Sequence, residues 1–187
     1  MKDIIKMLAV LTTIGLVSGG CLSLISNWAY PLIAANQKAE TERAIFLVQP
    51  DGKSYEAIAD AGFEIYKVFD ENKVSVGYSL VYEGNGFQGK IRLMFGINEE
   101  LTEVKSLEIL DQVETPGLGT KVTEDFFRDQ FKELETTPSI GWVKGAPPEK
   151  PNEIQAITGA TITSKAIVEI MNAGIDRARE LQKRGVL

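Results

Sequence analysis

The sequence predicts an α+β domain carried on a single N-terminal transmembrane helix, and three observations predict it. No charged side chain occurs between Lys6 and Lys38. Several segments between residues 64 and 110 alternate apolar with polar side chains or are rich in β-branched and aromatic residues. Past Thr163, apolar residues recur at helical spacing.

The anchor comes first. Met7 to Ile25 is almost wholly apolar or small, long enough as a helix to cross ~30 Å of hydrocarbon. Trp28 and Tyr30 follow, where amphipathic aromatics favour the membrane interface, and Pro31 then disfavours continuation of the helix. Residues 1–35 are therefore read as a short N-terminus plus the anchor, and residues 36–187 as one domain. A secretory signal is the competing reading, since Lys2 and Lys6 precede the apolar run and Ser18-Gly19-Gly20-Cys21 resembles a lipoprotein cleavage site. Against it, Ser18 stands where a large aliphatic is usual, and the run continues through Leu22, Leu24 and Ile25. Lys2 and Lys6 favour a cytoplasmic N-terminus, which would put residues 36–187 outside.

Residues 36–48 contain no breaker and mix charges at helical spacing, so they predict a helical stalk leaving the membrane. Glu64–Phe69 and Val74–Tyr82 predict a hairpin turned at Asp70-Glu71-Asn72-Lys73. The glycine-dense turn Gly84–Gly89 leads into strands over Lys90–Ile97 and Val104–Leu110. Glu114-Thr115-Pro116-Gly117-Leu118-Gly119 breaks the pattern, because Pro-Gly favours a tight turn. A short helix follows over Thr123–Phe131, then a connection with Pro138, Pro147, Pro148 and Pro151, then an amphipathic helix from about Thr163 carrying Ile167, Ile170, Met171, Ile175, Ala178 and Leu181. Antiparallel strands with flanking helices make the class α+β.

Composition removes several chemistries. With no histidine and one cysteine, Cys21, the sequence lacks the usual metal ligands, Ser/His or Cys/His nucleophile pairs and any intramolecular disulfide. A net charge of −6 gives no electrostatic footprint for nucleic acid. Redox work would need a cofactor.

The segment Thr158-Gly159-Ala160-Thr161-Ile162-Thr163-Ser164 opens the last helix. Small residues and free N–H groups at a helix N-terminus suit an anion such as phosphate. A hydroxyl of Thr163 or Ser164 capping the helix would explain the same residues without a ligand. Both readings stand on local chemistry.

The segment resembles the flavinylation motif of the FMN-binding domain family, a Ser or Thr-Gly-Ala-Thr core whose last threonine receives FMN through its phosphate. Gln155 stands where that motif usually has Asp. The ordered combination of anchor, Gly84–Gly89 turn, Glu114–Gly119 loop and Thr-Gly-Ala-Thr is similar to the G subunits of Rnf electron-transport complexes and the C subunits of sodium-translocating NADH:quinone reductases.

The resemblance implies a phosphoester from Thr161 to FMN, made by a separate flavin transferase, with Thr163 as runner-up acceptor. It implies that Thr158, Gly159, Ala160 and Ser164 surround the attachment point. Glu114, Thr115 and the backbone of Gly117 and Leu118 would lie near the ring or ribityl chain. Lys165 could pair with the phosphate, although a solvated lysine explains it as well.

The implied function is an electron relay in a membrane complex that moves electrons between ferredoxin and NAD and translocates sodium or protons. Its partners would be further membrane and iron-sulfur subunits, and its place a bacterial or archaeal cell membrane with the domain extracytoplasmic. The alternatives are a membrane-tethered assembly or binding subunit without a redox cofactor, a component like the C subunit of sodium-translocating NADH:quinone reductase, and a self-standing flavin reductase.

Overall fold

The computed structural model describes residues 2–59 and 61–187. Its first element, helix α1, is continuous over Lys2–Val48 and keeps Pro31 inside it, where the sequence predicted an anchor and a separate stalk. Proline at an interior position removes one helical hydrogen bond and crowds the preceding turn, but it does not interrupt a segment whose neighbours on both sides are helix formers. α1 contributes to two compact units, residues 1–40 and residues 41–187. In the first, apolar side chains such as Leu11, Leu16 and Leu24 are exposed all round. By length and composition the helix suffices to cross a membrane.

The second unit is built on strands β1 (Ser54–Ala57), β2 (Ile65–Phe69), β3 (Ser75–Asn85), β4 (Lys90–Ile97) and β5 (Glu103–Gln112), joined by β6 (Leu134–Glu135). These six form one sheet in chain order, each strand antiparallel to the next. The turn between β2 and β3 is closed by Asp70, whose Oδ1 accepts the N–H of Asn72 and of Val74 at 2.8 Å each, the local mimicry that suits Asp to turns.

Alternation along the strands divides the core. Leu80, Leu93, Phe95 and Ile97 face one side, where helix α3 (Thr161–Lys183) lays Ile167, Met171, Ile175 and Leu181 upon them. Val68, Val81 and Met94 face the other side, covered by Ala44, Ile45 and Val48 from the last turns of α1. Just past that helix, the buried Gln49 Nε2 donates to the carbonyls of Tyr78 and Ile97, both at 3.0 Å. Glycine is required beneath it, because a Cβ on Gly96 would run into the Val48 carbonyl.

Between β5 and β6 the chain makes a 3-10 turn (Gly119–Thr123), the short helix α2 (Asp125–Arg128) and a second 3-10 turn (Asp129–Phe131). The helix predicted over Thr123–Phe131 is thus three short turns. Phe127 and Phe131 are fully buried and stack edge to face, while Phe126 points outward.

The Pro-rich connection holds two strands that periodicity did not reveal, β7 (Gly141–Lys144) and β8 (Glu153–Ala156), which pair in parallel as a separate ribbon. β8 delivers the chain directly to the Thr158 segment.

Candidate functional site

Three segments far apart in sequence meet at the start of α3. The Gly84–Gly89 turn supplies Phe87. The Glu114–Gly119 loop supplies Glu114, Thr115, Leu118 and Gly119. The Thr158–Thr163 segment supplies all six of its residues, and Lys144 closes the ring from the end of β7. Together they line a cleft of about 370 Å³, inside the range of ~300–1,000 Å³ usual for small-molecule sites.

The helix entrance is shaped by glycine. Gly159 has φ +88°, and the Ala160 N–H returns to the Ile157 carbonyl at 3.0 Å, a turn whose third position needs a positive φ. α3 then begins at Thr161, with Ala160 as its N-cap and no side-chain capping hydrogen bond. A capping role for Thr163 or Ser164 is therefore corrected by the structure. The Ser164 hydroxyl donates to the Ala160 carbonyl and accepts the Ile157 N–H, both at 3.0 Å, and the residue is fully buried outside the cleft lining. Thr163 is 2% exposed, and its Oγ1 donates to Glu114 Oε2 at 2.7 Å.

The first turn thus presents N–H groups that have no acceptor within the helix. Among the described residues, neither the hydroxyl of the partly buried Thr161 nor that of the exposed Thr158 has a hydrogen-bond partner. Thr161 and Thr163 stand two residues apart with opposite circumstances, one hydroxyl free at the cleft and the other consumed.

Glu114 is the organising side chain. It is 4% exposed, and besides Thr163 it holds the Gln88 N–H on Oε1 at 3.0 Å. Its own N–H is held by Gln112 Oε1 at 2.7 Å. The surrounding glycines follow from that carboxylate: a Cβ on Gly119 would lie 2.7 Å from Glu114 Cβ and Oε2, and one on Gly86 would strike Oε1. Thr115 Oγ1 donates to Gln88 Oε1 at 2.9 Å, so the loop and the glycine turn are joined twice.

The loop spends its backbone donors on itself. The Leu118 N–H goes to the Thr115 carbonyl at 3.2 Å and the Gly117 N–H to Thr120 Oγ1 at 3.0 Å. Gly117 has φ +72° and does not line the cleft, so its part is turn geometry. Leu118 offers its side chain, which leans toward Gly159. Lys165 pairs with Glu169 at 3.3 Å one turn along the helix and also lies outside the lining. Gln155 is exposed on β8, where its backbone N–H donates to Gln130 Oε1 at 2.7 Å.

Four lining residues were not named as site residues from the sequence: Phe87, Gly119, Lys144 and Ile162. Phe87 and Ile162 are exposed apolar side chains at the cleft, and Phe87 could have been suspected as an aromatic inside a glycine turn. Lys144 carried no local signal, because only the register of β7 opposite β8, which sets Lys144 against Ala156, brings it to the site.

Free amides at a helix N-terminus, the unpaired hydroxyls of Thr158 and Thr161, apolar walls and one lysine suit a ligand with a phosphate at one end and a flat apolar ring system at the other. Residues 86–176 match the family described as the FMN-binding domain. This matched segment is similar to FMN-binding domains. It contains the whole cleft, from Phe87 to Thr163.

Among the proteins that the chain is similar to is the G subunit of the ion-translocating oxidoreductase complex of Methanosarcina acetivorans, 26% identical over 94% of both chains. Another is the G subunit of the Na+-translocating ferredoxin:NAD+ oxidoreductase complex of Acetobacterium woodii, 36% identical over 64% of this chain. Only 57% of that relative's length is spanned. The crystal structure of the C subunit of Na+-translocating NADH-quinone reductase from Parabacteroides distasonis shares the fold, with a TM-score of 0.54, 20% identity and 65% of each chain covered.

Proposed function

We propose that the chain is the electron-carrying subunit of a membrane ion-translocating ferredoxin:NAD oxidoreductase, with FMN joined to Thr161 by a phosphoester. The observation that carries this reading is the free Thr161 hydroxyl on the first residue of α3, in a cleft where the Glu114, Thr115 and Thr163 side chains are already paired with one another or with Gln88. Bound FMN supplies one- and two-electron chemistry that no side chain of this histidine-free chain can supply.

The residues divide the work of holding it. Amides of Thr161, Ile162 and Thr163 face the phosphate at the N-terminus of α3, where the helix dipole favours negative charge. Phe87, Leu118 and Ile162 provide apolar surface for the ring system and exclude water from it. Lys144 provides a positive charge. Thr161 itself fixes the cofactor in place, so that a carrier working outside the cytoplasm does not lose it.

Esterifying a threonine with a plain phosphate monoester is unfavourable in water, so the donor must carry the flavin phosphate as an anhydride. With flavin adenine dinucleotide, the Thr161 Oγ–P bond forms, the P–O–P bond breaks, AMP leaves and the hydroxyl proton passes to a base of the transferase. The membrane and iron-sulfur subunits that would exchange electrons with the flavin, and an extracytoplasmic position of the domain, belong to the same proposal.

The test is denaturing gel fluorescence after co-expression with a flavin transferase. A fluorescent band is expected for wild type, lost in Thr161→Ala and still present in Thr163→Ala. No band in wild type sinks the covalent bond, and a band surviving Thr161→Ala sinks the assignment. Folding of Thr161→Ala should match wild type within about 0.5 kcal/mol, since its hydroxyl holds nothing.

A further inference from the structure

The buried carboxylate of Glu114 has no direct part in the scheme above, yet it touches two of the three segments that form the cleft and belongs to the third. We infer that Glu114 is a positioning residue that presents Thr161 for flavin attachment by gripping Thr163. This rests on the attachment reading just given and adds to it the device that sets the geometry.

The grip is specific. Oε2 takes the Thr163 hydroxyl at 2.7 Å and Oε1 takes the Gln88 N–H at 3.0 Å. Both partners are donors, so the carboxylate, which accepts on both oxygens, is the side chain that matches them. Hydrogen bonds to an ionised acceptor are the stronger kind. Thr161 and Thr163 share the first turn of α3, so fixing the hydroxyl of one sets the rotation of the turn that displays the other. The same bond withdraws Thr163 as an acceptor, which makes Glu114 also the reason that two neighbouring threonines are not equivalent.

The close glycines support the assignment. Gly86 and Gly119 leave no room for a side chain beside the carboxylate, so the pocket around Glu114 is as tight as its hydrogen bonds require. Replacing the carboxylate by an amide keeps the volume but sets an NH₂ group against one of two donors.

The experiment uses the full-length chain in membranes with a flavin transferase and flavin adenine dinucleotide, following the growth of the fluorescent band with time. Glu114→Gln and Thr163→Val are each expected to slow attachment roughly tenfold, the scale of a displaced reacting group or one lost charge-assisted bond. Thr163→Ser, which keeps the hydroxyl, is expected to attach at the wild-type rate. The double variant is expected to be no slower than the worse single one, because both changes break the same contact.

Rates that multiply in the double variant, or a folded Glu114→Gln that attaches like wild type, overturn the inference while leaving the attachment site intact. If Glu114→Gln does not fold, the Thr163→Val and Thr163→Ser pair decides: equal rates overturn the inference. If wild type forms no band, the attachment reading fails by itself. The grip is then read on noncovalent FMN, whose release must be faster in Thr163→Val than in Thr163→Ser.

Discussion

Helices α1 and α3 are both rich in apolar residues and dispose of them in opposite ways. In α3, Ile167, Met171, Ile175 and Leu181 form one stripe, buried on the sheet, while Glu169, Arg177 and Glu180 stay in solvent as ion pairs. In α1, apolar side chains from Ile4 to Ile33 are exposed on every side, and only Ala44, Ile45 and Val48 enter the protein core. Hydropathy gives the amount of apolar surface to be hidden, and its periodicity tells what hides it. A one-sided stripe calls for protein, and an all-round one calls for lipid.

The strongest challenge to that division is at the end of α1. Gly96→Val, which drives a side chain into the Val48 carbonyl, should cost more than about 4 kcal/mol, in the class of severe overpacking. Loss of the cooperative melting transition would register it. If the domain tolerated valine there, the docking of Val48 on β4 would be wrong.

A step down, Met171→Ala in α3 should destabilise by about 3 kcal/mol in a denaturant titration, because it leaves a cavity in a closed core. Leu11→Asp in α1 should leave that titration unchanged and instead cost about 3 kcal/mol of membrane insertion. Fractionation and denaturation of the two variants should therefore give crossed results, and parallel results would break the contrast.

The smallest effect concerns Tyr66, which packs edge to face on Tyr55. Burial, reinforced by the charge of Glu64, raises its phenol to about 12 from the ordinary 10.0. A phenol that holds its proton more tightly when folded adds stability fully present below pH ~10 and lost as pH rises toward 12. Burial also raises Tyr78, so spectrophotometric titration should find both Tyr66 and Tyr78 ionising late, and Glu64→Gln should bring Tyr66 alone earlier.

The sequence made the large elements readable for the reason that those predictions rely on. Periodicity is long in β3 to β5 and in α3, so Val74–Tyr82, Lys90–Ile97 and Val104–Leu110 could be placed by alternation alone. It is short in β7 and β8, four residues each amid prolines, and their parallel pairing is nonlocal. For that reason Lys144 was invisible. Pro31 misled because the preference it expresses is local and was outweighed by the helix on either side. At the site, Glu114 and Thr163 could each be suspected, but a bond across 49 residues leaves no trace in spacing. The segment Thr158–Ser164 named a helix entrance without telling which hydroxyl was free.

That long-range bond also orders events in time. Strands β1 to β5 pair only with sequence neighbours, so their sheet can close while the rest of the chain is still being synthesised, a wiring that favours early formation. The cleft cannot follow until Thr163 arrives to meet Glu114. A protein released short of α3 would have a sheet and would lack Thr161, the proposed acceptor. On the proposed attachment at Thr161, loading with flavin would work as a certificate of completion, issued to chains that have finished both synthesis and folding.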